Sequence, residues 1–380
     1  MKLTEFLQHK PLYYAEIDYT RMPRAYESIK KHIRIPKIIH LVGTNGKGTT
    51  GRFIANALYS LGCNVGHYTS PHIHVFNERI WLNGKNCDDA RLEKAHENLQ
   101  AILSEAFKMS LSYFEYTTFL AMIVYEECDY VVLEAGLGGE HDATNAFEKI
   151  LSVITPIGMD HEDFLGSSLK EIARTKLRSV SKKAIIGEQR YTEVLAVAEE
   201  LQASQKLKFI PYKSLLEAED ISMAEEVSQE MELPHYLQEN LLLSMSVVKE
   251  LGFKIKKNLF NSQRLEGRMQ RIKPNVWLDV GHNSLAAEAI SHCFFHKSVN
   301  LIYNSYRDKD YLSILALLKP IVKQVQIIHV DDERIVAHED LVDAIMKNEL
   351  EYKSFEGIKE EENYLVFGSF SVAEAFKKLC

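Results

Sequence analysis

The strongest chemical signal lies in residues 43–50, which read Gly-Thr-Asn-Gly-Lys-Gly-Thr-Thr. A short apolar run precedes this glycine-rich turn, and a segment with helical periodicity follows it. Backbone N–H groups in such a turn can surround phosphate oxygens, the Lys47 ammonium can neutralise their charge, and a threonine hydroxyl can reach Mg²⁺. The spacing differs from the usual Walker A motif because a glycine follows the lysine. The flanking strand and helix patterns favour a phosphate-binding loop over a purely structural turn.

Two further apolar runs end in residues that could bind a metal. Glu134 ends one run and is followed by a stretch rich in glycine, and Asp160-His161 follows the next. In α/β sheets, ligands bind in the crevice at the carboxyl ends of the strands. A carboxylate there can coordinate Mg²⁺, and His161 can bind a metal through a neutral nitrogen while Asp160 orients it. A salt bridge at the strand end is the structural alternative for Glu134, and the pattern leaves both open.

Three other segments hold polar side chains but carry weaker signals. Ser70 lies beside a proline in a loop with hydroxyls and imidazoles, which is ordinary turn chemistry. Lys176 lies on an amphipathic segment, where a lone lysine is normally a solvated cation. Asp279 and His282 follow a C-terminal apolar run, with Arg268 just upstream. These last residues reach a nucleotide across a cleft, or alternatively Asp279 and the nearby Asn283 cap the next helix.

These residues need a scaffold, and the chain supplies alternating strand and helix patterns. The predicted strands are short and mostly apolar on both faces, as buried parallel strands are: 37–42, 130–134, 151–155, 184–187, 276–280, 299–303, 325–330 and 365–368. Helical patterns such as 50–61 and 169–180 lie between them. Residues 217–232 are acidic and weakly periodic, and we interpret them as a surface excursion. The alternation predicts an α/β fold with helices on both faces of a sheet.

Length and pattern together predict two domains. A chain of 380 residues exceeds the roughly 250–300 residues at which single cores stop growing. The apolar pattern breaks between residues 259 and 274, where polar residues and a glycine replace it. We therefore predict a nucleotide- and substrate-binding domain over residues 1–263, a linker over 264–274 and a smaller C-terminal α/β domain over 275–380.

Composition argues against several classes of protein. The 45 Lys and Arg residues against 53 Asp and Glu residues give a formal net charge of −8, which disfavours binding to a nucleic-acid backbone. No run approaches the ~20 apolar residues of a membrane span, and charge interrupts the N-terminus too early for a secretory signal. The five cysteines form no Cys-x-x-Cys pair, as is typical of a reducing compartment. We expect a cytoplasmic protein.

Taken in chain order, these segments resemble the folylpolyglutamate synthase/dihydrofolate synthase family of the Mur ligase superfamily, in its bacterial bifunctional branch. The resemblance covers almost the whole chain. The matching blocks are residues 43–50, 69–72, 78–80, 113–117, 134–139, 142–145, 160–161, 165–166, 176, 239–240, 267–268 and 279–283. The family implies a P-loop-type, mainly parallel ATPase domain that also binds the pterin, followed by a smaller Rossmann-like domain that completes a glutamate ligase.

The resemblance also implies a role for individual residues, carried over position by position. The ATP-binding set is Asn45, Gly46, Lys47, Gly48, Thr49, Asn240, Arg268, Asp279 and His282. Two Mg²⁺ ions would lie among Thr49, Ser70, Glu134 and His161. The catalytic residues would be Lys47, His161 and Lys176, the last as a carbamylated lysine. The substrate would lie against Asp18, Phe114, Glu115, Asp142, Ala143 and Thr144.

Several positions depart from the family pattern. Glu140-His141 stands where relatives have Arg-Leu, so a cation near the substrate block is missing. Lys176 lies in Arg-Thr-Lys-Leu-Arg instead of Arg-Glu-Lys-Ala-Gly. A carbamate forms only on a neutral amine, so the pKa of Lys176 must be lowered by burial or by neighbouring cations, and Arg174 and Arg178 would be such cations if their side chains turned inward.

The resemblance implies ATP-dependent formation of an amide. A carboxylate attacks the γ-phosphate of ATP, and the amine of L-glutamate then displaces phosphate from the acyl phosphate. Dihydropteroate is the expected acceptor, with further addition to the γ-carboxylate of reduced folates. The alternatives are a Mur-type amino-acid ligase that acts on another carboxylate and a nucleotide-binding module without turnover. We expect a monomer that binds small molecules, with no nucleic-acid or membrane partner.

Overall fold

The computed structural model describes residues 1–11, 18–260, 264–294 and 297–379. Its strands form one sheet of eight strands and one of six. The first sheet contains β1 Lys37–Val42, β2 Val65–Tyr68, β3 Ile80–Leu82, β4 Lys85–Asn86, β5 Tyr130–Glu134, β6 Leu151–Ile154, β7 Lys183–Ile186 and β8 Lys208–Pro211. Its order is β4-β3-β2-β5-β1-β6-β7-β8, parallel except for the pairs of β3 with β2 and β4.

The second sheet is smaller and also mainly parallel. It contains β9 Gln270–Lys273, β10 Val276–Leu278, β11 Val299–Tyr303, β12 Val322–Ile327, β13 Tyr352–Ser354 and β14 Tyr364–Phe367. The order is β13-β12-β11-β14-β10-β9, and β9 pairs antiparallel with β10. We call the first sheet with its helices the first unit, and the second sheet with its helices the second unit.

Helices connect most successive strands. They are α1 Leu3–Gln8, α2 Arg21–Ile29, α3 Lys47–Ser60, α4 Asp89–Ile102, α5 Glu105–Ser110, α6 Tyr113–Val124, α7 Glu162–Leu165, α8 Leu169–Leu177, α9 Thr192–Gln205, α10 Ala218–Glu230, α11 His235–Glu250, α12 Ser284–Cys293, α13 Tyr311–Leu318, α14 His338–Lys347 and α15 Phe370–Leu379. In β1, Ile38 packs in a core with residues of α6, whereas Ile39 packs in a separate core with residues of α3 and α11. Since neighbouring strand residues point to opposite faces, helices cover both faces of the first sheet.

The order of the first sheet brings the predicted site segments together. Strand β1 lies between β5 and β6, with Leu41 opposite Glu134 and Val42 opposite Ile154. The three strands are parallel, so their carboxyl ends meet at one edge. The glycine-rich loop, Glu134 and the Asp160-His161 pair all follow at that edge.

The predicted α/β fold class is confirmed by the two mainly parallel sheets. Strands 37–42, 130–134 and 299–303 have the predicted bounds, and the other five predicted strands are present with shifted ends. The predicted helix 50–61 begins earlier, at Lys47. The predicted linker, residues 264–274, contains strand β9 of the second sheet.

The prediction of a surface excursion at 217–232 is wrong, because these residues include helix α10. Ala224 and Val227 are buried against the core that also holds α11. The acidic residues form part of the helix start: Asp220 accepts a hydrogen bond from Glu217 N at 2.9 Å in a capping box. The charged residues on the exposed face of α10 obscured the narrow apolar stripe that packs into the core.

The described residues also bear on two expectations from composition. Cys63, Cys87, Cys128 and Cys293 are free thiols. No helix within the described ranges is both long enough and apolar enough to cross a membrane.

Candidate functional site

The glycine-rich loop joins β1 to the first turn of α3. Gly46 has a φ of 86°, a left-handed conformation that favours glycine, and a Cβ there would lie 2.7 Å from Asn240 Oδ1. The loop therefore packs against α11 as it turns into α3. The first N–H groups of α3 have no acceptor within the helix, so this helix end can bind an anion.

Two lysines converge on this loop. Lys47 Nζ donates to Gly43 O at 3.0 Å and to Thr44 O at 3.2 Å, and Lys176 Nζ donates to Gly43 O at 3.0 Å. The Lys176 side chain is buried, not solvated as the helical pattern predicted. Burial, together with the charge of Lys47, lowers the pKa of Lys176 to about 7. A substantial share of this amine is neutral near pH 7.

The arginines on either side of Lys176 do not turn inward, so they do not supply the cationic repulsion that the sequence left open. Arg174 Nη2 pairs with Glu200 at 2.7 Å, and Arg178 Nη1 lies 3.5 Å from a Glu140 oxygen. Residues two apart on a helix point to different faces, so both arginines stay outside while Lys176 enters the site.

Glu134 lies beside the loop in a buried position. Thr69 Oγ1 donates a hydrogen bond to Glu134 Oε2, and Ser70 N donates to the same oxygen at 3.4 Å. Burial raises the pKa of Glu134, although Lys47 opposes this shift. Among the described residues, no cation lies within ion-pair distance of Glu134, so the salt-bridge alternative does not apply there.

The residues around Glu134 fit a magnesium ion better than a metal held by many protein ligands. Across the described ranges, no three or more His, Cys, Asp or Glu residues cluster as a metal site. Mg²⁺ commonly takes only one or two carboxylates and completes its shell with waters and substrate phosphates. Thr49 Oγ1 is buried and has no hydrogen-bond partner in the described structure, as a hydroxyl meant for an ion or a phosphate would be.

His161 lies at the rim of this region. Its backbone is left-handed, with φ of 53°, and its side chain is 38% exposed. Burial by the cleft walls lowers its pKa to about 4, although Asp160 opposes the shift. The imidazole is therefore neutral at pH 7, the form that can bind a metal.

Asp160 makes contacts that the sequence analysis did not foresee. Its Oδ1 accepts from Lys309 Nζ at 2.7 Å, and its Oδ2 accepts from Asn283 Nδ2 at 3.2 Å. Both partners belong to the second unit. Burial alone would raise the pKa of Asp160, but His282, His161 and Lys309 together lower it.

The ATP-binding residues predicted in the linker and the C-terminal domain lie across the cleft from the loop. Asp279 accepts hydrogen bonds from Tyr236 OH at 2.7 Å and from two backbone N–H groups at 2.8 Å each. His282 Nε2 lies 3.8 Å from an Asp160 oxygen, and the Arg268 guanidinium lies over the ring of Phe370 at 5.2 Å. The cap of α12 is Asn283, not Asp279, so the capping alternative holds for only one residue of this segment.

Aromatic and charged residues line the other end of the cleft. The Phe114 ring lies over Gly136, where a Cβ would come within 2.6 Å of it. Glu115 pairs with Arg21 Nε at 2.8 Å, and both side chains are 11% exposed. His141 stacks on Tyr19 with ring centroids 4.2 Å apart.

A hydrogen-bond chain holds Asp142 in place. Asp142 accepts from Leu137 N at 2.8 Å and from Thr144 Oγ1 at 2.5 Å, and Thr144 Oγ1 in turn lies 2.8 Å from His40 Nε2. Burial raises the pKa of Asp142. Thr144 therefore supports Asp142 from behind. Asp18 is exposed and accepts from Thr20 N and Oγ1 at 2.9 and 2.7 Å.

All these segments surround one cleft of about 1710 Å³ between the two units. Of the predicted site residues, Asp18 and Thr144 do not line it, and the others do. Lys309, Arg21 and Tyr236 also line it, but no local motif distinguished them in the sequence.

Comparison with known proteins agrees with this geometry. Residues 41–232 match the profile of the Mur ligase middle domain. The dihydrofolate synthase/folylpolyglutamate synthase of Escherichia coli (strain K12) is 31% identical over 365 residues, covering 88% of this chain and 84% of that protein. The crystal structure of Helicobacter pylori folylpolyglutamate synthetase is 39% identical, covers 99% of this chain and 97% of that one, and has a TM-score of 0.79. E. coli FolC in complex with DHPP and ADP, at 24% identity, shares the fold with a TM-score of 0.82 over 100% of this chain and 97% of that one.

The matched domain, the two-sheet fold and the phosphate-type loop are those of Mur ligases. Within that class, the chain belongs to the dihydrofolate synthase/folylpolyglutamate synthase family, as the sequence blocks indicated. It is therefore an ATP-dependent ligase, which sets aside the alternative of a nucleotide-binding module without turnover.

Proposed function

We propose that this ligase joins L-glutamate to dihydropteroate, which gives dihydrofolate, and that it also adds glutamate to the γ-carboxylate of reduced folates. The observation that carries the proposal is the single cleft, which has a phosphate-type loop at one end and the Phe114 and Arg21–Glu115 surfaces at the other. A flat aromatic ring system with polar edges fits the second end, and ATP fits the first. The name of the E. coli relative supports both activities, and that of the H. pylori structure supports the second.

The reaction proceeds in two displacements. The acceptor carboxylate attacks the γ-phosphorus of ATP, which releases ADP and leaves an acyl phosphate. The amine of L-glutamate attacks the acyl carbon, phosphate leaves, and the amine loses a proton as the amide forms. The protein's part is mainly positioning and neutralisation of charge.

Individual residues have separate tasks in this scheme. The N–H groups at the start of α3 bind phosphate oxygens, and Lys47 turns from the loop carbonyls towards the β- and γ-phosphates. Asn45, Gly46, Gly48 and Thr49 complete this wall. Asn240 supports the loop, and Arg268, Asp279 and His282 bind the nucleotide from the second unit.

Mg²⁺ fits beside this wall, in one or two positions among Thr49, Ser70, Glu134 and His161. The free Thr49 hydroxyl and the neutral His161 imidazole are suitable ligands, and Glu134 supplies the negative charge. When bound, the ion neutralises phosphate charge.

Lys176 is proposed to carry a carbamate. Its buried amine, with a pKa of about 7, can attack CO₂ in its neutral form and release one proton as the carbamate forms. The product is an anion beside the loop, where it would support the bound metal. Asp142, Ala143, Phe114 and Glu115 are proposed to contact the pterin side of the substrate, with Thr144 holding Asp142.

The test is ADP release by the purified protein with ATP and Mg²⁺. Dihydropteroate, tetrahydrofolate or a peptidoglycan-precursor carboxylate is supplied as acceptor, each with and without L-glutamate. We expect ADP release that requires both a pteroate or folate and glutamate, with the amide product confirmed by mass spectrometry. Turnover with the peptidoglycan precursor alone would instead support the Mur-type alternative. Size-exclusion chromatography with light scattering tests the expected monomer.

A further inference from the structure

Two loops of the first unit form one body beneath the cleft. Thr44 N and Asn45 N both donate to Pro156 O, at 2.9 and 3.2 Å. The Thr44 hydroxyl also exchanges hydrogen bonds with Gly158, at 3.0 and 3.1 Å. The segment that carries Asp160 is thus hydrogen-bonded to the glycine-rich loop. A displacement of Asp160 would therefore also displace the loop that binds phosphate.

The second unit binds this body through buried polar contacts. Lys309 Nζ lies 2.7 Å from Asp160 Oδ1, and the two side chains are only 6% and 7% exposed. Asn45 and Asn283 exchange reciprocal amide hydrogen bonds of 2.9 Å each. Asn283 also donates to Asp160. These contacts therefore hold the second unit both to the glycine-rich loop and to the segment of Asp160.

A buried ion pair between two surfaces carries a large desolvation free energy. Removing both charges from water costs free energy that the attraction only partly recovers, and breaking one partner leaves an unpaired buried charge. Such pairs are best explained where they specify a single arrangement. The other carboxylate near Lys309, that of Asp308, is 3.4 Å away and 43% exposed. Lys309 therefore has one partner that only the docked arrangement provides.

We propose that Lys309 is a positioning residue for the ligase reaction, which pairs with Asp160 to hold the second unit over the glycine-rich loop until the amine has reacted. This inference rests on the acyl-phosphate route proposed above. In a loosened cleft, water attacks the acyl phosphate in place of the amine, which regenerates the carboxylic acid and releases phosphate. One ATP is then consumed without formation of an amide.

The experiment compares the parent with K309M, D160N and the double variant K309M/D160N. ADP and amide product are both measured, with kcat and KM for each substrate. We expect both single variants to release at least about two ADP per amide and to lose about 10- to 100-fold in kcat. The double variant should be no worse than the poorer single variant, because both substitutions break one contact.

The matched control is R190Q. Arg190 also forms an ion pair across the two units, with Glu288 of α12, but its side chain is 49% exposed. The Glu288 side chain is 18% exposed, so this pair is partly open to water and contributes less than a fully buried one. The variant should keep a ratio of one ADP per amide and parental kcat.

Two results would overturn the proposal. One is a ratio that stays at one in both single variants. The other is loss of activity in K309M with full activity in D160N, because Lys309 would then act on the substrate and not through Asp160. Thermal unfolding checks that each variant is folded.

Small-angle scattering separates this inference from the proposed function. K309M should have a larger radius of gyration than the parent, whichever acceptor the enzyme uses. If the parent turns over no pteroate or folate but K309M still has a larger radius of gyration than the parent, the proposed substrate is wrong. The Lys309–Asp160 contact would still hold the two units together. If K309M has the parental radius of gyration and still releases one ADP per amide, the positioning role is rejected and the proposed function is unaffected.

Discussion

Substitution of Lys47 should remove a contact to the ATP phosphates without disturbing the fold. Its ammonium contacts only loop carbonyls among the described residues, so K47M should leave the thermal midpoint within about 2 °C of the parent. The turnover rate should fall by about 100-fold or more, since a preorganised cation on the phosphates is lost. Initial rates of ADP release measure this effect. K170M is the control, because Lys170 is 60% exposed on α8, and parental rates in K47M would remove the loop assignment.

Lys176 gives a prediction that depends on dissolved CO₂. K176A should lose most activity, because the buried position then lacks both the amine and its carbamate. Short carboxylic acids such as formate or acetate should restore part of it by filling the same space. The parent should slow in buffer stripped of CO₂ and recover on addition of bicarbonate. If K176A keeps parental activity and bicarbonate has no effect, Lys176 is a structural cation.

Single residues also show where sequence reasoning stops. Glu134 was identified from its motif and Lys176 only from the family resemblance, and the structure brings both to the glycine-rich loop. Lys309 has no such motif, because its partner Asp160 lies 149 positions away in the chain. A contact between distant segments of two units has no local pattern. Of the two causes considered for a lowered pKa of Lys176, burial is the main one, and the neighbouring arginines contribute no inward charge because they face outward.

At the scale of elements, helix α10 offers a test of its capping box. Asp220 accepts from Glu217 N and pairs with Lys249 of α11 at 2.5 Å. Asp220 is the N3 residue of the capping box, so D220A removes its bond to the N-cap backbone and its pair with Lys249, and should lower the free energy of unfolding by about 1 kcal/mol. Urea unfolding measures the change, and kcat should stay parental because α10 does not line the cleft. E219A, in the same turn, is the control, and equal destabilisation by both would contradict a specific cap.

The turn that carries Asp142 depends on a second buried lysine. Lys149 Nζ donates to Asn145 Oδ1 and to Ser179 O, the latter at 3.0 Å, and burial lowers its pKa from 10.5 to about 8. Between these two values the unfolded chain keeps a proton that the folded protein releases. Stability therefore rises with pH in this window, by at most about 1.4 kcal/mol per pH unit for one group.

K149M should remove that contribution to the slope. Urea unfolding of parent and variant between about pH 8 and about pH 10 gives the comparison. Lys176 and Lys10 contribute slopes of the same sign in both proteins, so the difference between the two curves is the informative quantity. Parallel curves would show that Lys149 keeps an ordinary pKa in the folded protein.

The accuracy of the strand predictions follows position in the sheets only in part, because the interior strands β2 and β3 were also missed. The central strands β1, β5 and β11 are almost wholly buried and were predicted with their bounds. The edge strands β4 and β13 were missed, since they are two and three residues long and mostly exposed. An edge strand buries too little surface to impose an apolar pattern, so pairing with a neighbour defines it.

At the scale of the whole molecule, helix α11 links the two units through the site. Its residue Asn240 packs against Gly46 of the glycine-rich loop, and its residue Tyr236 donates to Asp279 of the second unit. Ile73 of the first unit is part of an apolar cluster with Val280 and other residues of the second. Polar contacts of α11 and the apolar cluster around Ile73 thus join the two units on either side of the cleft.

This arrangement predicts the effect of removing one hydroxyl. In Y236F, the buried Asp279 loses a hydrogen bond of 2.7 Å and keeps two backbone donors. A hydrogen bond to a charged group contributes about 1.5–3 kcal/mol, so ADP affinity, measured by calorimetry, should fall by about 10-fold or more. The control is Y212F, because Tyr212 donates to Glu239 of the same helix within the first unit. It should keep parental affinity for ADP. Equal weakening in both variants would point to a general disturbance of α11, and parental affinity in Y236F would show that Asp279 binds nucleotide without support from this helix.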